Sequence, residues 1–360
     1  MATVEIENLK VLFGDVTAVD GFTMTLRHGE FVVLLGPSGC GKTTTLRCVA
    51  GLQTCTSGEI RFDSKPVTNL APAQRNVGMV FQFVSLYPHL TVRQNIAFPL
   101  RARGTRRAEI AKKIDRVAEV FRIGDILAHY VVGLPPGARQ KVALARAVVR
   151  QPAVLLLDEP LSGVEEQYRE EMRWDLRHFQ RELGITTVHV THDQREAMSL
   201  ADRVVLMRDG KIIQSGPPAA LFDNPTNRFA ASFIGSPSMN FLNLKVGADG
   251  LGIASDQTLR VSAPQEVVDR CRAQGLNEVM LGIRPHLVEL ANGATVAKNV
   301  WPAQLVDAVL VGRDLQAEFS VDGQTIIAEL PSDADVHGTT ALRLPPERCF
   351  FFGPDGSRIG

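Results

Sequence analysis

A glycine-rich run that ends in lysine and threonine is the first stretch of this sequence that could do chemistry. It follows an apolar run at 31–35 and opens a predicted helix that stops at Gly51. Such a turn lets backbone N–H groups surround phosphate oxygens, and the helix dipole adds positive charge. Lys42 can reach the β- and γ-phosphates of a nucleotide, and the Thr43 hydroxyl can bind Mg²⁺. The nine residues assigned to this nucleotide site are Gly36, Pro37, Ser38, Gly39, Cys40, Gly41, Lys42, Thr43 and Thr44.

Two adjacent acids follow a second apolar run. Residues 154–157 read Val-Leu-Leu-Leu, and Asp158 and Glu159 come directly after them. A carboxylate at the end of a buried strand beside a phosphate loop can hold Mg²⁺, which is the role expected of Asp158. Glu159 points the other way along the strand and can polarise an attacking water. The alternative, a solvated turn, is disfavoured by the four apolar residues before the pair.

Two more polar residues end predicted strands. Gln82 follows the apolar residues 77–81 and could touch the same metal ion. His192 follows the strand-like residues 186–191 and could hydrogen-bond the γ-phosphate. A lone glutamine or histidine is usually structural, so both assignments depend on the whole pattern.

Alternating strands and helices must position these residues. That alternation through the first 235 residues predicts a mostly parallel sheet with helices on both faces. Residues 91–150 are mainly helical in pattern, with Thr105 as a predicted N-cap and a helix from Ala138 to Arg150. Asp209-Gly210 predicts a two-residue hairpin turn, and Phe13 is expected in a turn between strands.

The pattern changes at Gly235-Ser236-Pro237-Ser238. From there to Gly360, short alternating segments are separated by glycine, proline and aspartate, which is typical of a small β-barrel. The predicted domains are therefore residues 1–235 and 236–360.

Composition excludes several classes of protein. With 39 basic and 39 acidic residues, the net charge of +0 offers no general attraction to nucleic acid or anionic lipid. Five cysteines without C-x-x-C spacing favour reduced thiols in a cytosolic protein over a metal site or a disulfide framework. We expect no signal peptide, and no run approaches the roughly 18 apolar residues of a membrane span. A role at a membrane would therefore require docking on a protein that spans it.

Taken together, these motifs resemble the ATP-binding subunit of ATP-binding-cassette (ABC) transporters, in particular the ATPases of bacterial maltose and glycerol-phosphate importers. Phe13 falls where that family carries an aromatic residue that stacks on adenine. The resemblance continues through residues 80–92, 235–241 and 281–285 and so covers nearly the whole chain. The other matches are 36–44 to the Walker A loop, 154–158 to Walker B, Glu159 to the catalytic glutamate, Gln82 to the Q-loop and His192 to the switch histidine.

The resemblance implies an α/β fold: a P-loop ABC-type ATPase core with an inserted helical subdomain at about 88–150. A C-terminal all-β OB-like (TOBE) regulatory domain is implied to follow. The implied cofactors are ATP and Mg²⁺, with Thr43, Gln82 and Asp158 serving the metal and with Glu159 and His192 catalytic.

The resemblance also implies partners. Two ATP-binding subunits, identical or different, would close on two ATP molecules and drive two transmembrane permease subunits. An extracytoplasmic solute-binding protein would deliver a carbohydrate or related solute. The chain would then be peripheral at the cytoplasmic face of the plasma membrane, with no nucleic-acid partner. The apolar loop 83–90 is expected to line the groove that meets the permease.

One motif departs from the family. The signature loop, normally Leu-Ser-Gly-Gly-Gln, contacts ATP bound to the partner subunit, and here it reads Leu-Pro-Pro-Gly-Ala. Pro135 has no hydroxyl and Pro136 has no N–H to offer the γ-phosphate. We therefore expect intact ATP binding but weak hydrolysis by a homodimer. Glu165, in place of the family's aspartate, is a milder change. The signature residues are Pro135, Pro136, Gly137 and Ala138.

Three other functions share parts of this pattern. A GTPase would need an Asn-Lys-x-Asp motif, which the sequence lacks. Soluble ABC proteins of DNA repair or translation typically carry two cassettes or a long coiled-coil insertion, and neither is present. A weakly hydrolysing regulatory or heterodimer-partner subunit stays open because of the signature loop.

Overall fold

The computed structural model describes residues 2–246, 252–254, 260–291, 299–336 and 339–359. The backbone divides into two compact units, Met1–Ala219 and Ala220–Gly360. The domain boundary that the sequence pattern predicts near residue 235 lies within the second unit.

The first unit contains two sheets. The larger has the strand order β10-β9-β3-β8-β7-β6 and is parallel except for β10, and the smaller is antiparallel in the order β2-β1-β4-β5. Their strands are β1 (Val4–Phe13), β2 (Val16–Leu26), β3 (Phe31–Leu35), β4 (Ser57–Phe62), β5 (Lys65–Pro66), β6 (Val77–Val80), β7 (Val154–Asp158), β8 (Thr186–Thr191), β9 (Arg203–Arg208) and β10 (Lys211–Gly216). The helices are α1 (Lys42–Ala50), α2 (Val92–Arg101), α3 (Arg107–Val120), α4 (Pro136–Val148), α5 (Glu166–Leu183), α6 (Gln194–Leu200) and α7 (Pro218–Asp223), the last of which crosses into the second unit.

The core of this unit explains why the central strands are continuously apolar. All five residues of β3 and all five of β7 are buried, as expected for parallel strands that are covered on both faces. One cluster joins Phe22 of the antiparallel sheet, Leu46 of α1 and Leu156 of the parallel sheet. The predicted α/β class is confirmed. The separate antiparallel sheet was not predicted.

The helical region follows the sequence pattern with two corrections. The predicted N-cap at Thr105 is wrong, because α3 begins at Arg107 and its cap is Arg106. The N–H of Thr105 is instead bonded to the Leu100 carbonyl, which ties it to the end of α2. Helix α4 begins at Pro136, earlier than predicted. The Asp209-Gly210 hairpin is confirmed, with φ values of 50° and 77° that are typical of a type I′ turn.

The second unit is mainly antiparallel β-structure, as predicted. The described residues of this unit form two five-stranded sheets, in the orders β13-β12-β11-β14-β20 and β15-β19-β16-β17-β18, and Leu281, Phe319 and Leu342 belong to one shared core. The elements are α8 (Arg228–Phe233), β11 (Asn240–Val246), β12 (Gly252–Ala254), β13 (Arg260–Val261), α9 (Gln265–Ala273), β14 (Glu278–Ile283), β15 (Glu289–Ala291), β16 (Val300–Val311), β17 (Asp314–Val321), β18 (Gln324–Pro331), β19 (Thr339–Arg343) and β20 (Phe350–Phe352).

Within the described part of the chain, every helix is too short or too polar to cross a membrane. All five cysteines lie in the described residues as free thiols.

Candidate nucleotide site

The candidate site lies where four parallel strands end. Strands β3, β6, β7 and β8 are neighbours or near neighbours in one sheet, so their carboxyl ends share one edge. Helix α1 also begins at this edge, directly after the loop that follows β3. The predicted site residues that follow these strands are Gly36, Gln82, Glu159 and His192.

The glycine-rich loop is closed tightly around the Lys42 side chain. Lys42 is buried, and its ammonium group donates hydrogen bonds to the carbonyls of Gly36 and Pro37, both at 2.8 Å. Gly41 has a φ of 99°, and a Cβ atom there would lie 2.3 Å from the Ala18 carbonyl oxygen. This position therefore requires glycine for both its dihedral angle and its surroundings. Residues 37–39 form the exposed rim of the loop, Cys40 is buried, and Thr44 is half-buried.

Thr43 and Asp158 form the part of the site that suits a magnesium ion. The Thr43 hydroxyl donates to Asp158 Oδ1 at 3.0 Å, which joins the start of α1 to the end of β7. Burial raises the pKa of the Asp158 carboxyl above its ordinary value, while the Thr43 hydrogen bond and the Arg47 charge oppose that rise. Hydroxyl and carboxylate oxygens are hard donors of the kind Mg²⁺ takes. Gln82, the third predicted metal residue, contacts Glu159 instead, from Nε2 to Oε2 at 3.3 Å.

Glu159 is held apart from Asp158 by the backbone. Its φ is 46°, in the left-handed region that costs a non-glycine residue about 1–3 kcal/mol, and its N–H donates to the Val190 carbonyl at 3.0 Å. The carboxylate Oε1 lies 3.1 Å from His192 Nδ1. Glu159, Gln82 and His192 line a cavity of about 170 Å³. The chain thus places two adjacent acids in different surroundings, one buried beside Thr43 and one facing a small polar cavity.

Comparison with known proteins adds independent information. Residues 19–162 match the ABC transporter family, and residues 235–286 match the MalK OB fold domain family. The sn-glycerol-3-phosphate import ATP-binding protein UgpC of Vibrio cholerae is 40% identical over 351 residues, which cover 95% of this chain and 91% of that protein. The maltose/maltodextrin import ATP-binding protein MalK of Escherichia coli K12 is 38% identical over 373 residues, covering 99% and 97%.

This chain belongs to the ATP-binding subunits of ABC importers. The structure of cbiO1 from Clostridium perfringens, described as part of the ABC transporter complex cbiONQ, is 30% identical with a TM-score of 0.58. That match covers 61% of this chain and 90% of that chain. Membership confirms the ABC ATPase fold with its OB-type second domain, and it makes the chain a nucleotide-binding ATPase coupled to transport.

Phe13 of this ABC subunit lies at the end of β1, not in a turn as expected. Strand pairing continues to the hairpin tip, where Phe13 is opposite Val16. Phe13 is 49% exposed and Val16 is 66% exposed. The carbonyl of Ala18, two residues further along β2, lies against Gly41. The exposed apolar tip is therefore separated by only a few residues of β2 from a contact with the glycine-rich loop. Contact between Phe13 and adenine stays a prediction.

The signature loop forms a proper helix start despite its prolines. Pro136 is the first residue of α4 and Pro135 is its N-cap, positions at which proline is tolerated. The first helical bond runs from the Arg139 N–H to the Pro135 carbonyl at 3.0 Å. The N–H groups of Gly137 and Ala138 precede that bond, whereas Pro136 contributes none.

Several supporting residues were not predicted. The Ser162 hydroxyl donates to the Glu159 carbonyl at 2.9 Å. Asp193 caps α6 by accepting hydrogen bonds from the N–H groups of Arg195 and Glu196. An aspartate followed three residues later by glutamate is a helix-start pattern, so the Asp193 cap could have been predicted from sequence. No comparable signal marks Ser162.

Replacing Gly41 by alanine should distort the loop. The added methyl group meets the Ala18 carbonyl oxygen, so we expect a loss of about 1–3 kcal/mol in the free energy of unfolding together with weaker ATP binding. Chemical denaturation and nucleotide titration measure the two effects. Gly104→Ala is the matched control, because Gly104 has a similar φ of 71° but no atom within 4 Å of the new methyl group. Equal ATP affinities for both variants would contradict this account.

Asp158→Asn should separate stability from metal binding. Burial raises the folded-state pKa of Asp158 despite its hydrogen bond from Thr43, so ionising the carboxyl group costs stability as pH rises from its ordinary unfolded-state pKa to the raised folded-state pKa. We therefore expect Asp158→Asn to raise the Tm of the nucleotide-free protein at neutral pH, by an amount that shrinks as pH falls, and to abolish Mg²⁺-dependent ATP binding. Thermal denaturation at several pH values tests this. Asp115→Asn, at an exposed carboxylate paired with Arg93, should give no such gain. A lower Tm for Asp158→Asn at neutral pH would refute the argument.

Proposed function

We propose that this chain drives uptake of a carbohydrate or a phosphorylated polyol by binding and hydrolysing MgATP. The relatives reported above are named for import of sn-glycerol-3-phosphate and of maltose or maltodextrin. We further propose that it pairs with a second ATP-binding subunit and two transmembrane permease subunits, and acts indirectly with a solute-binding protein. On this proposal it is peripheral at the cytoplasmic face of the plasma membrane.

The arrangement of Glu159 beside the Thr43–Asp158 pair carries the mechanistic proposal. The loop N–H groups and Lys42 bind the phosphates of ATP. Thr43 and Asp158 would hold Mg²⁺, which would supply positive charge to neutralise the phosphates. The two acids have different tasks because their surroundings differ: Asp158 is buried against Thr43, while Glu159 faces the cavity.

Glu159 is proposed to orient the attacking water and accept its proton. Its carboxylate lies within hydrogen-bond distance of His192 on one side and Gln82 on the other, at 3.1 and 3.3 Å. Both neighbours belong to loops that follow strands, so a movement of either loop would change the position of the general base. Gln82 also directly precedes the apolar loop 83–90. The chain therefore connects a residue beside Glu159 to the loop that we propose contacts the permease.

Side chains of α2 hold in place part of the loop that would form the docking surface for the permease. Asn95 is fully buried; its side chain donates to the carbonyls of Tyr87 and Leu90 in the loop and of Thr91 at the start of α2, and it accepts from the Tyr87 N–H at 2.8 Å. The Tyr87 ring packs on Phe98, with ring centroids 4.5 Å apart. Phe83, by contrast, is 84% exposed. A rigid base that presents an exposed aromatic ring suits insertion into a groove shared with a membrane partner.

Phe83→Ser should uncouple ATP hydrolysis from transport. We expect the variant to bind ATP as the wild type does but to lose most co-purification with the permease subunits and most solute uptake in membrane vesicles, because its anchor ring is removed. Leu52→Ser is the control: Leu52 is also an exposed apolar side chain, but it follows the far end of α1. Normal uptake by Phe83→Ser would remove this surface from the proposal, and an absence of ATP-dependent uptake by the wild type would overturn the function itself.

The altered signature loop favours a slow form of the same ATPase. A hydroxyl at 135 and an N–H at 136 are both missing, and each donor to developing charge is worth roughly 10²–10³-fold in rate. The N–H groups of Gly137 and Ala138 can still meet a phosphate. A homodimer is therefore proposed to hold ATP and hydrolyse it slowly, while a partner with a complete signature loop would restore one site.

Rebuilding the loop tests this reading. The triple variant Pro135→Ser, Pro136→Gly, Ala138→Gln should raise steady-state ATP turnover by at least ~10²-fold with little change in ATP affinity. The same change combined with Glu159→Gln should show no turnover, which assigns the gain to this site. Equal and fast rates for the wild type and the rebuilt loop would show that the prolines do not limit hydrolysis.

A further inference from the structure

A groove between α5 and α6 lies outside the nucleotide site. We call it the α5–α6 groove, and its volume is about 500 Å³. It has an unusual combination of four arginines and one exposed tryptophan. The residues that define it are Arg173, Trp174, Arg177, Arg181, Arg195 and Ser199.

The positive charge in this groove is poorly compensated. Arg173, Arg177 and Arg181 follow one another at intervals of four on α5, a spacing at which like charges destabilise a helix. Arg177 is paired with Asp202. Arg181, about one turn further along α5, has no ion-pair partner among the described residues. One guanidinium group without an ion-pair partner, on a stripe of three, favours the arrival of an anion.

The acidic neighbours of the other two arginines are weak partners. Glu170, which also lines the groove, lies 3.4 Å from Arg173 but is largely exposed. Glu166 lies 3.6 Å from Arg195, and both of these side chains are exposed. Exposed pairs of this kind contribute about 0–1 kcal/mol, so they would yield readily to a better anionic ligand.

Arg173 adds positive charge behind the groove surface. It is 6% exposed, its Nη2 atom lies 3.4 Å from Glu170 Oε1, and its charge also interacts with the buried Glu196 carboxyl. Its Nη1 atom has no hydrogen-bond partner within the described chain but is enclosed by protein, so a ligand in the groove would feel its charge without contacting that atom.

Trp174 supplies the other half of the site. It is 80% exposed, although it is a large side chain on a helix whose opposite face packs into the core. Its ring borders the same groove as the arginines. An indole face left in water next to cationic groups is a surface on which a flat ring can stack.

We propose that the α5–α6 groove binds a small organic phosphate that carries an aromatic ring. The ring stacks on Trp174, and the phosphate is held by arginine side chains that line the groove, foremost Arg181, which has no ion-pair partner among the described residues. Guanidinium groups match phosphate oxygens in a bidentate manner. The groove volume lies within the range of small-molecule sites, which favours such a ligand over an acidic protein segment.

Tryptophan fluorescence provides the test, with phenyl phosphate as the probe. The chain has two tryptophans, and Trp301 is buried in the second unit, so Trp174 is the exposed reporter. Titration is done on the full chain without ATP, because ATP is itself an organic phosphate with an aromatic ring and would compete for the groove. We expect saturable quenching that disappears in Trp174→Phe and requires about tenfold more ligand in Arg181→Gln.

Controls separate the groove from general charge effects. Arg116→Gln, at an exposed arginine of α3, should bind phenyl phosphate as the wild type does. Inorganic phosphate should compete more weakly than phenyl phosphate, since it lacks the ring. The proposal is overturned by an absence of saturable quenching, by equal affinities in Arg181→Gln and Arg116→Gln, or by quenching with an acidic peptide but not with phenyl phosphate.

Discussion

The register between parallel strands is the constraint on which the nucleotide site depends. Leu35 at the end of β3 pairs with Thr191 at the end of β8, and Asp158 at the end of β7 pairs with Val190. Because these strands end level with one another, the loops that leave them converge on one edge. The hydrogen bond from Thr43 to Asp158 is a consequence of this alignment, since neither residue has the other nearby in sequence.

The site keeps several unfavourable features within this frame. Glu159 occupies a left-handed backbone conformation, and the pKa of Asp158 is raised by burial. Strain and burial of this kind persist where surrounding structure over-determines them. Here the buried β7, the Val190 carbonyl and the Ser162 hydroxyl together fix the turn after the strand. The same arrangement gives two neighbouring carboxylates separate chemical roles.

Two aromatic residues outside the nucleotide site are exposed in different surroundings. Phe83 is exposed on a loop that Asn95 holds in place, whereas Trp174 is exposed beside a stripe of arginines. Both Phe83 and Trp174 expose a large aromatic ring to solvent, but the side chains around the two rings differ in charge. Apolar neighbours suit a protein partner, and guanidinium groups suit an anion. The chemistry around an exposed ring, more than its exposure, therefore indicates what it binds.

The sequence by itself determined the ABC ATPase class, the phosphate loop and the acidic pair, because these depend on residues that are adjacent in the chain. A glycine-rich turn between an apolar strand and a helix, or a run of four apolar residues before Asp158 and Glu159, can be read locally. Local patterns failed at Thr105, whose N–H is held by the preceding helix, and at Phe13, which the β1–β2 pairing keeps in a strand. Only the tertiary structure decided that Gln82 contacts Glu159 and not Asp158, and that arginines from α5 and α6 share a groove with Trp174. Those contacts join residues far apart in the chain, and their geometry is set by how strands align and helices pack.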